Sequence, residues 1–354
     1  MILALLLACT GSGPGSVNDE PTDCIAHSRL VAATTDFAVG SLLTVNLDTH
    51  EVRDHLAPTS GDPIVRAQDC SVYQLNRGTG DAVRIYEPGQ WSAPAVEFAL
   101  PGANPHDILA LDGELFISQF ERNELAVHTS ADGAQVADIE LLDWADEDGL
   151  VEADQVVLAG GKLYVALQRL DRTDGWQSTG GAVVEIDPSS RAVLRSWETG
   201  PNPRLFGHPA EQALIVLTGH FTALDGGAFV LDPDADELRA ISPDSLPTDV
   251  VFADYAEGAD GVGMLLAADL DNNYVAYCVD WSGSEPLFRS AIHTRQYLPD
   301  VVISDRGLGW VAVADGWPPT GESSGLLPID LDLCEPVLDA PVATTLNPYS
   351  LAVY

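Results

Sequence analysis

Lysine is almost absent. The chain has 354 residues and one lysine, Lys162; every other basic residue is arginine, and 54 acidic residues bring the formal net charge to −38. Polyanion binding needs clustered Lys and Arg, so nucleic acid is excluded as a partner. Such acidity bears on solubility and counter-ions rather than on fold. Long apolar runs are also missing: no stretch beyond the N-terminus approaches the roughly 18 residues of a membrane helix. The five cysteines form no CxxC pair and no Cys/His cluster, which argues against zinc. The same spacing lacks the CxxCH of a c-type haem. The motifs GxSxG, HExxH, the P-loop and GxGxxG after a strand are absent too, so the common catalytic signatures are excluded. What remains is a chain that is 46% hydrophobic with 31 glycines and 23 prolines spread along it. That is enough apolar material for a large core and argues against disorder.

The first nine residues read MILALLLAC. The run Leu6-Leu7-Ala8-Cys9 resembles a bacterial lipobox, in which Cys9 would be lipidated and become the first mature residue. Residues 10–23 read as a flexible tether. Thr10, rather than an aspartate, follows at the second mature position, which by the family's rules implies the outer membrane. The expected organisation is a signal segment over 1–9, a tether over 10–23 and one domain over 24–354.

Internal repeats organise the rest. A proline or acidic turn followed by a short apolar run recurs at Asp62-Pro63-Ile64-Val65, Asn104-Pro105-His106-Asp107, Asp154-Gln155-Val156-Val157, Asn202-Pro203-Arg204-Leu205, Pro247-Thr248-Asp249-Val250-Val251, Pro299-Asp300-Val301-Val302 and Asn347-Pro348-Tyr349-Ser350. These seven copies lie 42 to 52 residues apart. Each is followed by a second apolar strand, a polar loop, a third strand and usually a weaker fourth. Alternation, β-branched content and turn residues favour strands throughout. Four short strands per repeat of about this length predict an all-β chain folded as a seven-bladed β-propeller with four-stranded antiparallel blades. The chain starts its repeat on a second strand and ends on a first strand. The C-terminal strand is therefore expected to join the N-terminal blade and close the ring, removing exposed sheet edges.

The segments Asp271-Asn272-Asn273-Tyr274-Val275-Ala276-Tyr277-Cys278-Val279-Asp280 and Gly181-Ala182-Val183-Val184-Glu185-Ile186-Asp187 resemble the YVTN-type repeat of YncE-like propellers. The stretch Leu163–Asp187 is also similar to bacterial propeller lipoproteins of unknown role. The resemblance spans about 320 residues. It implies a seven-bladed propeller and no single activity, since function lies in sites grafted onto the fold.

Four cysteines besides Cys9 allow three disulfide pairings. Repeat phase favours two of the bonds: Cys24 and Cys70 both precede second strands of neighbouring blades, and Cys278 and Cys334 both fall late in third strands of neighbouring blades.

Loops entering the first strand and loops joining strands two and three open on one face, where candidate residues collect. The loop from Asp143 to Asp154 alternates carboxylates before a glycine, as hard-oxygen calcium loops do. Asp143, Asp146, Asp148 and Glu152 are its candidate ligands, with a solvated acidic loop as the alternative reading. No cofactor is required by the sequence, and Ca2+ is the one it suggests. Trp144, Arg169, Asp171, Trp176, His220 and Trp317 are expected around the same rim, as a binding face or as packed loops. For an enzyme of the propeller-lactonase type, His106, Glu121, Arg169 and Asp269 are the candidate catalytic residues.

Two functions follow as expectations. The first is a non-catalytic, lipid-anchored propeller of the cell envelope, touching the membrane through its anchor only and presenting its loops to a protein or glycan. The alternative is a hydrolase or lyase acting in the central channel.

Overall fold

A short strand with one apolar side cannot bury itself. Four such strands make a sheet with two apolar faces, and each sheet needs a neighbour on both sides. Repetition around a ring satisfies all of them at once. The computed structural model describes residues 28–354 except 79, 210, 284 and 317–320. Cys9, the tether, Cys24 and Trp317 lie outside the described residues.

Seven antiparallel sheets follow one another as the blades of a seven-bladed propeller. In blade one the innermost strand is the last in the chain, Asn347–Val353, paired with Arg29–Thr35 through Leu30↔Val353 and Ala32↔Leu351. The expected ring closure is therefore present. The inner strands of blades two to seven are Asp62–Gln68, Pro105–Leu111, Ala153–Ala159, Arg204–His208, Val251–Glu257 and Val301–Ser304. Only the outer edge of blade seven is broken, into Glu335–Pro336 and Val342–Ala343. Helix is limited, among the described residues, to three single 3-10 turns.

Burial follows position in the blade. The second strand of blade five, Ala213–Thr218, is buried at every residue, because blades pack against both its faces. The outer strand of blade four, Ala192–Glu198, alternates exposed and covered. Seven apolar clusters result, one at each blade junction, including the closing one where Leu30, Leu43 and Leu351 meet Trp310 and Leu326. Two junctions thus hold every blade, and none is a free face.

The cysteines divide. Cys278 and Cys334 form the expected bond between blades six and seven, with Cα atoms 5.9 Å apart, within the range a disulfide spans. Cys70 is a free, exposed cysteine, and its expected partner, Cys24, lies outside the described residues.

One repeat copy is displaced. Pro247-Thr248-Asp249-Val250-Val251 precedes and only enters the inner strand of blade six, and a register shift between Phe252 and Asp254 follows. Asp254, not Asp249, takes the place that Asp300 holds in blade seven.

Candidate active site in the central channel

The repeat signature has a physical role. At the inner strands of five blades one polar residue reaches the backbone of the next blade. Asp107 Oδ2 accepts from Val156 N at 2.9 Å, Gln155 Oε1 from Leu205 N at 3.2 Å, and Asp254 Oδ2 from Val301 N at 3.0 Å. Asp300 Oδ2 accepts from Leu351 N at 2.7 Å and Ser350 Oγ from Val65 N at 3.2 Å. Five of the seven junctions are stitched in this way around the axis. The same side chains line a central cavity of about 1200 Å³.

Within that ring the Asp254 and Asp300 carboxyls lie close enough to act directly on each other. Both are partly buried and line the cavity. Burial, then the charge and hydrogen bond of Asp300, push the Asp254 carboxyl well above its ordinary value. Burial raises Asp300 too, while Arg66, the Leu351 N–H and the Asp254 hydrogen bond hold the rise back. Burial and mutual charge therefore favour the neutral form at both carboxyls, and more strongly at Asp254.

Three arginines line the cavity, and they differ. Arg66 Nε is paired with Asp107 Oδ1 at 2.7 Å, and Arg77 Nη2 with Asp62 Oδ1 at 2.5 Å. The guanidinium of Arg204 makes no hydrogen bond or ion pair among the described residues. It lies 5.9 Å from the centroid of Phe221, and its charge reaches Asp154, Asp254, Tyr297 and Tyr349. Burial raises both of those phenols, so they keep their protons.

His106 reaches the channel as expected. Its Nδ1 lies 3.1 Å from Asp154 Oδ1, and Gln168 Nε2 donates to Asp154 Oδ2 at 2.6 Å. Burial works to raise Asp154. The hydrogen bond from His106 and the charges of His106, Arg204 and Arg77 outweigh it, leaving Asp154 below its ordinary value.

The other three expected catalytic residues do not converge on the channel. Glu121 is ion-paired with Arg172. Arg169 Nη1 pairs with Glu198 Oε2 at 3.0 Å on the outer strand of its own blade. Asp269 caps its own turn, accepting from Asn273 N at 2.8 Å and Asp271 N at 2.9 Å. A short carboxylate before a turn bonds locally when it can, and no spacing rule reveals that choice beforehand.

The expected rim also separates. Trp176 is exposed and lines the cavity. Trp144 packs into the apolar cluster between blades three and four instead of joining the rim. Asp171 caps the 3-10 turn Arg172–Asp174 through Thr173 N at 2.7 Å. His220 is a tie: Nδ1 meets Asp225 Oδ2 at 2.6 Å and Nε2 meets Ser178 O at 2.9 Å, joining the loops of blades five and four. The hydrogen bond to Asp225, opposed by burial and aided by the Ser178 carbonyl, raises His220.

Three of the four expected calcium ligands come together. Oxygens of Asp146, Asp148 and Glu152 lie within 4.8 Å of one another and could hold a metal ion. Asp143 stays outside, exposed in the turn Leu142–Trp144. Burial raises Glu152 to about 8; the Leu170 N–H and Arg172 oppose this, and the charges of Asp148 and Asp146 add to it. Arg172 Nε stands 3.5 Å from Glu152 Oε1 and 3.8 Å from Asp148 Oδ2, so a guanidinium already offsets part of the charge.

Toward the other end of the channel, Trp281 Nε1 donates to Tyr255 OH at 2.7 Å, which donates to Glu257 Oε2 at 2.5 Å. Glu257 Oε1 also holds His208 Nδ1 at 2.7 Å. Sequence reading passed over Asp254, Asp300, Arg204 and this chain. The polar residue recurring at the inner strands of most blades was the signal that could have found the first three.

No family model matches the chain, and no curated protein matches it; the seven-bladed fold is present, and the YVTN-type resemblance is not confirmed by a family model. Among solved structures, a protein from Lactobacillus plantarum aligns with a TM-score of 0.67 at 13% identity, covering 92% of this chain and 98% of its own. The periplasmic gluconolactonase of Pseudomonas aeruginosa aligns at 0.66 and 16% identity, covering 91% and 98%. A protein from Bacteroides fragilis, provisionally called a 6-phosphogluconolactonase, aligns at 0.65 and 13% identity, covering 91% and 96%. At these identities the likeness is one of fold: the chain is similar to seven-bladed propellers that include lactonases.

Proposed function

We propose that the protein is a lactone hydrolase of the propeller type, acting in the central channel. The observation that carries this reading is the close carboxyl pair Asp254–Asp300 in the polar cavity. Lactone opening needs a base to take a proton from water, an acid to protonate the leaving oxygen and a cation for the developing oxyanion. Asp300 supplies the carboxylate, Asp254 the acid proton and Arg204 the unpaired guanidinium. Water adds to the acyl carbon, the ring C–O bond breaks, and a hydroxy acid leaves. The names of two structural relatives support the same chemistry. We rank this reading above the non-catalytic one because the stitching bonds at Val301 and Leu351 use one oxygen of each carboxyl and leave the pair facing a large polar cavity.

The test is acid release from δ-gluconolactone in a pH-stat, above the spontaneous rate. Asp254→Asn should lower kcat by about 10²–10⁴, with the melting temperature retained. Equal rates for wild type and variant would sink the assignment.

A second reading has one observation in its favour, the triad of Asp146, Asp148 and Glu152. It makes the loop-rich face a calcium-stabilised binding surface. Calcium should then raise the melting temperature, a chelator should reverse the rise, and Asp146→Asn with Asp148→Asn should abolish it. For location we retain the envelope, on the lipobox-like run ending at Cys9; lipid labelling lost in Cys9→Ser would support the anchor.

A further inference from the structure

The cavity continues from the acid pair to a mouth between blades four and five. Two aromatic rings stand there, Trp176 at 46% exposure and Phe221 at 48%, and both line the same cavity as Asp254. Among the described residues the exposed aromatics are these two and Phe37. These two are also held from behind. Arg172 lies 5.0 Å from the Trp176 centroid, and Phe120 stacks at 6.4 Å with the planes 27° apart. Phe120 in turn stacks on His106 at 4.3 Å and 14°. Phe221 carries Arg204 at 5.9 Å. His220 ties the two loops together through Ser178 O, and Trp176 N donates to Asp171 O at 2.8 Å. The rings are therefore set in place before any ligand arrives, which lowers the entropy cost of binding.

The surroundings decide the ligand class. A protein-docking patch is broad and apolar. Here the rings are separated by Gln168, Gln177, Thr222 and His106, all lining the cavity. A flat C–H face against an aromatic ring with amides and hydroxyls at its edge is what a sugar ring requires. The volume agrees: about 1200 Å³ exceeds the roughly 300–1,000 Å³ of ordinary small-molecule sites, leaving room beyond a single ring at the acid pair.

We propose that Trp176 and Phe221 form a second sugar subsite, so that the channel takes a disaccharide or longer sugar lactone whose lactone end reaches Asp254 and Asp300. This rests on the hydrolase reading above and adds the size and class of its substrate. The test is calorimetry with three stable sugar acids: gluconate, cellobionate and maltobionate. At least one disaccharide acid should bind tenfold or more tighter than gluconate. Trp176→Ala should remove most of that preference while leaving gluconate affinity unchanged, and Phe221→Ala should also remove it. Trp176→Phe should restore it, and Leu194→Ala, on the outer strand of blade four, should leave it intact. Equal affinity for all three acids, no binding of any, or equal weakening of all by Trp176→Ala would overturn the subsite. Calorimetry needs no turnover. Disaccharide preference without lactone hydrolysis overturns the hydrolase alone, and gluconolactone hydrolysis without preference overturns the subsite alone.

Discussion

The junction between blades six and seven and the junction between blades four and five are built on the same apolar packing, yet they are finished differently. The first has a disulfide, Cys278–Cys334, outside and the Asp254–Asp300 pair inside. The second has no covalent link. It is held by Gln155 on Leu205 N, by Arg195 Nη2 on Pro233 O at 2.6 Å, and at the mouth by His220 on Ser178 O. The side that carries the proposed acid–base chemistry is stapled, where small displacements would separate two carboxyls that have to act together. The side that carries the exposed rings is closed by hydrogen bonds, one of them titratable. Catalytic geometry needs rigidity more than a binding mouth does.

Breaking the staple should have the largest effect. Cys278→Ser with Cys334→Ser should cost about 2–4 kcal/mol, seen as a lower melting temperature and, if the comparison holds, a loss of lactone turnover. The same stability loss with full turnover would detach the disulfide from the chemistry.

Glu152 supplies the next test, beside Arg172 behind the mouth. Its folded value, about 8, lies above that of an unfolded glutamate. Its protonated form is the one folding favours, so its stabilising effect is complete at acid pH and is lost as pH rises through about 8. The melting temperature should fall by roughly 2–8 °C between pH 6 and 9, and Glu152→Gln should flatten that fall. A wild-type profile already flat would mean a bound cation neutralises the site.

The smallest effect belongs to His220. Only an imidazolium donates to both Asp225 and Ser178 O. Its folded value is raised, so its contribution is complete below the ordinary histidine value and disappears as pH rises through the raised one. His220→Asn should cost about 1 kcal/mol below that window and nothing above it. Hydrogen exchange in the loops of blades four and five should rise in the variant, while the junction of blades six and seven should not change.

Much of the fold was legible. The spacing of seven turn-and-strand units named the blades, and the phase of the first and last units named the closing strand. Phase also paired Cys278 with Cys334. The blade-six unit was misplaced because a register shift before Asp254 breaks the local pattern. The site was less legible. His106 and Trp176 could be placed by their loops, whereas Glu121, Arg169 and Asp269 had nearer partners that sequence does not show.

The sequence by itself determined that this chain is a ring of β-blades. Strand period, turn residues and repeat length are local properties, and seven sheets with two apolar faces close only upon one another. Tertiary structure decided which polar residues do chemistry. Asp254 and Asp300 stand 46 residues apart in the chain, and Arg204 is farther still from Arg66. They meet only at the axis, where burial, mutual charge and the absence of a competing partner turn ordinary side chains into an acid pair and an unpaired cation.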